Sequence, residues 1–413
     1  MQTNYFVCTL GQAAALSGKA KQYRTITEFV DLQNQRHPFL PAVGFPVPKQ
    51  GQQPWEYKVL SFGEVYQGSN IFAQRLSSTL SLAGGTVALL CHSSPEFLFT
   101  WLGLMRLGHS VLLIAPQCQP AAILHLCKSR ETSVLLHDNA HIERARQTET
   151  LANEESPGSL KIPLLPLHHG EDVFEVIKTP VDSTFDIAIV DDTATAYLHH
   201  TSGTSSGLPK PIPQSHRGAI GVLPYLPKIP GIASFTTTPL YHGGIADLFR
   251  SWTSNSMIWL FPGKDVPITA RNICQCLDVA RSYSSEEMIP KVKYFSSVPY
   301  VLQMMEEDEK GLEWLQGMEI VGVGGAALPA EIGDRMVKAG VNLISRFGSA
   351  ECGFLLSSFR DFARDKDWQY LRNYNPPSLV EFEPRDDNLA ELVVKPGWPH
   401  MVCPSILKLT VGC

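Results

Sequence analysis

The chain has 413 residues, of which 44% are hydrophobic and 18% charged. That balance is too apolar for a disordered polypeptide and long enough for two or three packed units sharing a core. A formal net charge of −6 offers no electrostatic footprint for nucleic acid or an anionic membrane surface, and no stretch approaches the ~18 uninterrupted apolar residues of a membrane span.

At the N-terminus a short apolar run, Tyr5 to Leu10, has no basic residue before it and does not read as a signal peptide. The nine cysteines stand singly. The one close pair, Cys274 and Cys276, has a single residue between, which suits neither a zinc knuckle nor a redox CxxC. Reduced thiols and a cytoplasmic setting are expected.

From Phe62 to Leu82 apolar residues recur at helical spacing (Val65, Ile71, Phe72, Leu76, Leu80), and Gly84-Gly85 stop the helix. Thr86 to Cys91 is almost wholly apolar, as a strand buried on both faces should be. A helix is expected from Pro95 to Leu107, ended by Gly108, then a strand over Val111–Ala115. Leu124–Lys128 reads as helix and Val134–Leu136 as strand. This alternation is the pattern of parallel βαβ units.

Asn139 to Asp182, polar and without period, is expected to be a loop-rich connection. Ala196–His200 reads as a strand entering a glycine-rich loop, and Gly218 to Pro239 carries helix and strand signals. Val266 to Gly317 reads as mainly helical. Glu319–Val323 is expected as a strand, Leu328–Ala339 as a helix, and Asn342–Arg346 as a strand opening onto another glycine loop. Ala390–Val394 reads as a strand after a polar turn at Asp386-Asp387-Asn388. The fold class is therefore α/β: layered sheets with flanking helices and a small β-rich part near the C-terminal end.

The segment with most chemistry is Thr201-Ser202-Gly203-Thr204-Ser205-Ser206-Gly207-Leu208-Pro209-Lys210. Glycines and small hydroxyl residues after a buried strand let backbone N–H groups and hydroxyls converge on phosphate oxygens, and Lys210 adds a point charge. The phosphate loop of ordinary NTPases is excluded. There the lysine follows glycine directly and a helix begins, whereas here Leu208-Pro209 intervene and Pro211 and Pro213 forbid an immediate helix.

The loop resembles that of the adenylate-forming (AMP-binding, acyl-CoA synthetase-like) superfamily, Thr-Ser-Gly-(Ser/Thr)-Thr-Gly-x-Pro-Lys, with Ser205-Ser206 in place of one threonine. Three more segments follow in the family's order. Pro239-Leu240-Tyr241-His242-Gly243-Gly244 resembles a segment lining the carboxylate pocket. Gly322-Val323-Gly324-Gly325-Ala326-Ala327-Leu328-Pro329 resembles the segment along adenine and the acyl group, and Arg346-Phe347-Gly348-Ser349-Ala350-Glu351 the family's Tyr-Gly-x-Thr-Glu. Ala390 to Gly397 resembles a further strand, Gly-Glu-Leu-x-x-x-Gly. The wording His199-His200-Thr201-Ser202-Gly203 and Pro209 to Gln214 is similar to the adenylation region of fungal carboxylate reductases related to peptide synthetases.

The resemblance implies ATP-dependent conversion of a carboxylic acid to an acyl-adenylate, with ATP and Mg²⁺ required. By it, Thr201, Ser202, Gly203, Thr204, Ser205, Ser206, Gly207 and Lys210 would hold phosphates, with Lys210 and Glu351 the catalytic pair. Gly324, Gly325, Ala326, Phe347 and Gly348 would face adenine. His242, Gly243 and Gly324 would face the acid, and Glu351 with Thr204 the metal. Where the family has threonine this chain has Ala350, so Ser349 or Ser205 would have to supply the hydroxyl. The partners implied are a small carboxylic acid, then coenzyme A or a phosphopantetheinyl carrier protein, and a separate C-terminal or reductase component; no nucleic acid is expected.

The expected organisation is an N-terminal extension over 1–26 and an adenylation lobe over 27–397, followed by an atypical tail over 398–413. Within the lobe, 27–190 and 191–350 would form two α/β parts and 351–397 a β-rich part. The family's Thr-Gly-Asp segment, whose aspartate binds ribose, and its C-terminal catalytic lysine are not recognisable after Trp398. Two readings stand at this point: an acid-activating ligase, or a catalytically incomplete lobe that acts as a binding or partner-dependent protein or is an inactive remnant.

Overall fold

The structure is a computed structural model describing residues 3–16, 21–49, 55–80, 84–167, 170–180, 187–201, 207–227, 231–263, 266–283, 289–386, 389–400 and 408–411. Two large sheets share one layer of helices. In the first, the strands lie in the order Leu135–His137, Thr86–Leu90, Ser110–Ile114, Thr195–His200 and Pro211–Ser215. The first four are parallel and the last is an antiparallel edge. The second sheet runs Gly353–Ser357, Leu343–Ser349, Ile320–Val323, Val292–Ser297, Ala233–Thr236, Ile258–Leu260, Pro41–Val47 and Glu56–Ser61. Its six central strands are parallel, with an antiparallel strand at each edge. Val380–Pro384, Ala390–Val394 and Lys408–Val411 make a small antiparallel sheet. The chain crosses between the large sheets: 41–61 joins the second and 195–215 the first.

Alternation along the strands sorts residues into layers. In the first sheet Val87, Leu89, Val111 and Leu113 face the shared helices, while Ala88, Leu90, Leu112 and Ile114 face an outer cluster with Leu124 and Ala145. In the second, Phe235, Phe295, Val321 and Leu343 belong to the opposite outer cluster. Both faces are covered, as parallel sheets require.

The shared layer is built from helices with strong start signals. Ser61 and Glu64 form a reciprocal capping box for Phe62–Ser77, which satisfies two otherwise orphan donors. Ser94 accepts from the Phe97 amide, and Pro95 opens Pro95–Arg106 with a preset φ. These two helices approach so closely that a Cβ on Gly103 would lie 2.8 Å from the Ala73 backbone nitrogen.

Several elements depart from the sequence reading. Asn139–Asp182 is not mainly loop: Ile142–Glu155 is a helix of 14 residues. Its inward residues are Ala145, Thr148 and Ala152, too small or polar to register as an apolar stripe. The stretch read as helical from Val266 also contains Val292–Ser297, a central strand whose Lys293 and serines hide the apolar pattern. Asn342–Arg346 does not open directly onto a loop, because the strand continues to Ser349 and pairs with Gly353–Ser357. Within residues 1–26, Tyr5, Phe6 and Val7 are buried beside Tyr294, Ile320 and Ile344. Arg250, itself buried, donates from Nη1 to the Tyr5 and Cys8 carbonyls at 3.0 and 2.7 Å. The seven described cysteines are free, as expected.

Because the contact at Gly103 is with backbone, neither helix can yield locally. Gly103→Val should destabilise the fold by about 2–3 kcal/mol, read as a lower urea midpoint with an unchanged slope.

Candidate active site

Every parallel strand of a sheet ends on the same edge, so the loops after them converge there; open α/β sheets bind ligands at that edge. The four motif segments follow Thr195–His200, Ala233–Thr236, Ile320–Val323 and the parallel part of Leu343–Ser349. All leave from carboxyl ends.

The phosphate-loop candidate is closed at its neck. The Thr201 amide donates to the Lys210 carbonyl at 3.0 Å, and the Lys210 amide donates to Thr201 Oγ1 at 3.0 Å. Gly207 has φ +77°, a left-handed conformation that favours glycine. Lys210 is exposed, and no hydrogen bond or ion pair engages its ammonium among the described residues. Ser202, Gly203, Thr204, Ser205 and Ser206, each expected to contact phosphate, lie outside the described residues.

Two histidines at the strand end carry signals that sequence reading passed over. His200 Nε2 accepts the Ala115 amide at 3.1 Å, so the proton sits on Nδ1, which lies 3.0 Å from the Thr201 carbonyl and donates to it. The ring thereby ties the loop neck to the end of the neighbouring strand. His199 Nδ1 donates to the Tyr241 carbonyl at 3.3 Å, joining this loop to the one bearing His242. Gln214, also given no role from sequence, donates from Nε2 to the Ala350 carbonyl at 2.6 Å. The phosphate-loop hairpin is therefore bonded directly to the Phe347–Glu351 segment.

His242 is half-buried, its ring centroid 6.3 Å from that of His200. Burial, with a smaller contribution from His200, lowers its pKa to about 4. It is neutral across the physiological range, more completely than its ordinary value suggests. Gly243 is exposed at the start of the helix Gly244–Thr253.

Gly324 donates its amide to the Ser297 carbonyl at 3.1 Å and lies beside the Arg346 carbonyl, which a Cβ would meet at 3.1 Å. Gly325, with φ +82°, and Ala326 are exposed beyond it. Phe347 is half-buried against the main core and pairs with Leu356 across the hairpin. Gly348 is exposed, and a Cβ there would sit 2.4 Å from the Gly353 carbonyl; only glycine permits so tight a hairpin. Ser349 Oγ accepts from the Cys352 amide at 3.1 Å, which leaves its own proton free to donate. Glu351 is half-buried in the adjoining turn, and its carboxylate has no hydrogen bond or ion pair among the described residues. Beneath these loops Arg346 Nη1 contacts Asp247 Oδ1 at 3.0 Å and Ser296 Oγ at 2.9 Å, a polar floor not read from the sequence. Its only signal there was an arginine inside an apolar strand.

A sequence profile for the AMP-binding enzyme family matches residues 30–393. The chain belongs to the AMP-binding enzyme family. It is similar to the non-ribosomal peptide synthetase ascB of Acremonium egyptiacum, 27% identical over 91% of this chain and 34% of that protein. It is also similar to the adenylate-forming reductase stbB of Stachybotrys bisbyi, 28% identical over 73% of this chain and 27% of the relative. The chain thus spans about a third or less of the length of these curated relatives. Among solved structures, o-succinylbenzoate CoA synthetase from Bacillus subtilis, in complex with an acyl-adenylate intermediate, superposes with a TM-score of 0.66 at 18% identity. That match covers 92% of this chain and 70% of the other. The fold, layered sheets with flanking helices and a small antiparallel appendage, is the one the sequence led us to expect, as is the kinship with fungal adenylate-forming reductases. No described helix is long and apolar enough to cross a membrane.

Burial lowers the pKa values of His199, His216 and His242 to about 4 from 6.5. A histidine buried neutral binds fewer protons folded than unfolded between those values. Stability is full above pH 6.5 and falls as pH drops toward 4. At pH 5 each of these residues should cost up to about 2 kcal/mol. Thermal melts from pH 7.5 to 5 should show that loss, and His216→Gln should reduce its slope.

Proposed function

We propose that this chain is an adenylating lobe: it binds ATP with Mg²⁺ and a small carboxylic acid and joins them as an acyl-adenylate. One acid oxygen attacks the α-phosphorus, the α–β phosphoanhydride bond breaks, and pyrophosphate leaves. The reading rests above all on four motif loops that leave the carboxyl ends of strands in the two large sheets, three of them bonded together through Gln214–Ala350 and His199–Tyr241.

Both reactants are anions, so the barrier is chiefly electrostatic. Thr201, Lys210 and the segment 202–207 would cradle the polyphosphate, the Lys210 ammonium offsetting its charge. Phe347, with Gly324, Gly325, Ala326 and Gly348 keeping the approach open, would face adenine; a flat ring suits a base. Neutral His242 would orient the acid by a hydrogen bond, with Gly243 and Gly324 lining the same space. The unengaged Glu351 carboxylate fits Mg²⁺, a hard ion that takes oxygen ligands, and Thr204 is the second candidate ligand. Bound there, Mg²⁺ would neutralise charge on the phosphates. Ser349, with its hydroxyl proton free, would stand in for the family hydroxyl missing at Ala350.

The organisation we propose is a lobe over 27–397 with parts at 27–190, 191–350 and 351–397. The thiol acceptor would be coenzyme A or a phosphopantetheinyl carrier, with a reductase or other component acting afterwards, in the cytoplasm. Calorimetric titration with Mg·ATP should give one site per chain. Lys210→Ala should weaken it about 10- to 100-fold, the loss of one charge-assisted phosphate contact, while circular dichroism stays unchanged. No binding at millimolar Mg·ATP, or full affinity in Lys210→Ala and Phe347→Ala alike, would overturn the assignment.

A further inference from the structure

A second cluster lies on the carboxyl edge of the first sheet, outside the four motifs. His92 follows the strand Thr86–Leu90, and Asp138 and His141 follow its neighbour Leu135–His137. The helices continuing from these loops go to opposite faces. Pro95–Arg106 buries Phe97, Trp101 and Leu104 between the sheets, whereas Ile142–Glu155 buries Ala145 and Ala152 on the outer side. Adjacent loops that diverge in this way leave a crevice, the usual ligand position on an open α/β sheet.

Within that crevice one donor atom from each of His92, Asp138 and His141 lies within 4.8 Å of the others, and the imidazole rings are 4.4 Å apart. Backbone fixes the carboxylate between them. The His92 amide donates to Asp138 Oδ2 at 3.1 Å, and the His141 amide to Oδ1 at 3.1 Å. The same oxygens face Nδ1 of His92 at 3.2 Å and Nδ1 of His141 at 2.5 Å. A carboxylate has about four lone-pair directions. Two are held by amides, and the others point at the imidazole nitrogens. The Cys91 thiol, buried beside Asp138, donates to the His92 carbonyl at 3.3 Å.

We propose that His92, Asp138 and His141 form a binding site for a divalent transition-metal ion of the zinc type, distinct from the Mg²⁺ site assigned to Glu351. Two imidazoles and one carboxylate are a nitrogen–oxygen donor set that zinc accepts with a fourth position open. On binding, each imidazole ligates through Nδ1 with its proton on Nε2: a neutral ring moves its Nδ1 proton to Nε2 by way of solvent, a protonated ring releases one, and each Nδ1–H···O contact becomes a pair of bonds to the ion. His92, with 27% of its side chain exposed against 11% for Asp138 and 8% for His141, supplies the way in. The ion would lock the two loops together. The Leu240 amide donates to Ser93 Oγ at 3.0 Å, and the Gly263 amide to the Ser93 carbonyl at 3.2 Å. Through these bonds the clamp would also stiffen the segment that carries His242.

The test is titration of tag-free chain with Zn²⁺ alone by calorimetry, with Co²⁺ as the spectroscopic probe. One ion per chain is expected, with a Co²⁺ spectrum lacking a thiolate charge-transfer band. His141→Gln should weaken Zn²⁺ binding about 100-fold. His92→Gln, on the rim, keeps both backbone bonds to Asp138; it should retain the native circular dichroism yet lose the Zn²⁺-induced rise in melting temperature. Cys118→Ala removes the thiol facing His200 Nε2 at 3.7 Å and should leave binding unchanged. Absence of stoichiometric Zn²⁺ binding, or equal affinity in a folded His92→Gln variant, would overturn the proposal.

Discussion

A parallel sheet must be covered on both faces, and here two sheets meet that demand by sharing one helical layer. Phe62–Ser77, Pro95–Arg106 and Gly244–Thr253 fill the space between them. Sharing fixes the relative position of the sheets, because any slip would separate contacts as close as Gly103 against Ala73 or Gly68 against Phe99. With the sheets fixed, their carboxyl edges are fixed, and so are the loops leaving them. The candidate site follows from that stacking, because the stacking sets where the ends of its loops lie.

What holds the loops is a set of hydrogen bonds to main-chain carbonyls, donated by side chains that stay uncharged. His199 and His200 can serve in this way because burial lowers their pKa values, His199's to about 4. A protonated imidazole at His200 Nε2 would lose the Ala115 amide as its donor and leave that N–H without a partner. The same burial keeps His242 neutral, able to donate one hydrogen bond to an acid without adding a cation to the pocket. Charge is instead left to Lys210 and Glu351, which have no partner among the described residues and lie in the two segments bridged by Gln214 and Ala350.

The parts legible in the sequence are those where one residue type has one physical reason to be present. Apolar strands without alternation, such as Thr86–Leu90 and Ser110–Ile114, fall where they were read, whereas the helix from Phe62 ends at Ser77, ahead of the Gly84-Gly85 stop. Elements whose inward side chains are small or polar are not legible in this way. Ile142–Glu155 turns alanine and threonine inward, and Val292–Ser297 places Ser296 and Ser297 in buried positions where hydrogen bonds replace apolar packing. Long-range bonds were equally hidden. Gln214 and Ala350 are 136 residues apart, and no local pattern marks an amide destined for a distant carbonyl. The loop motifs could be found because backbone chemistry at a turn is local; their assembly could not, because it depends on sheet order.

Sheet order also explains why the second sheet tolerates a polar floor under the site. Arg346 emerges from a central strand beside Gly322, where a Cβ would come 2.8 Å from its Cδ, so glycine makes room for the long side chain. Its guanidinium then meets Asp247, Ser296 and the faces of Phe6 and Phe354. A buried ion pair of this kind adds little net stability over an apolar filling, but losing one partner strands the other. Its worth is positional: Asp247 belongs to the helix that follows His242, and Arg346 directly precedes Phe347. The pair therefore couples the segment expected to orient the acid to the one expected to hold adenine. Phe6 closes it from the N-terminal side, so residues that read as an extension complete the floor beneath the site.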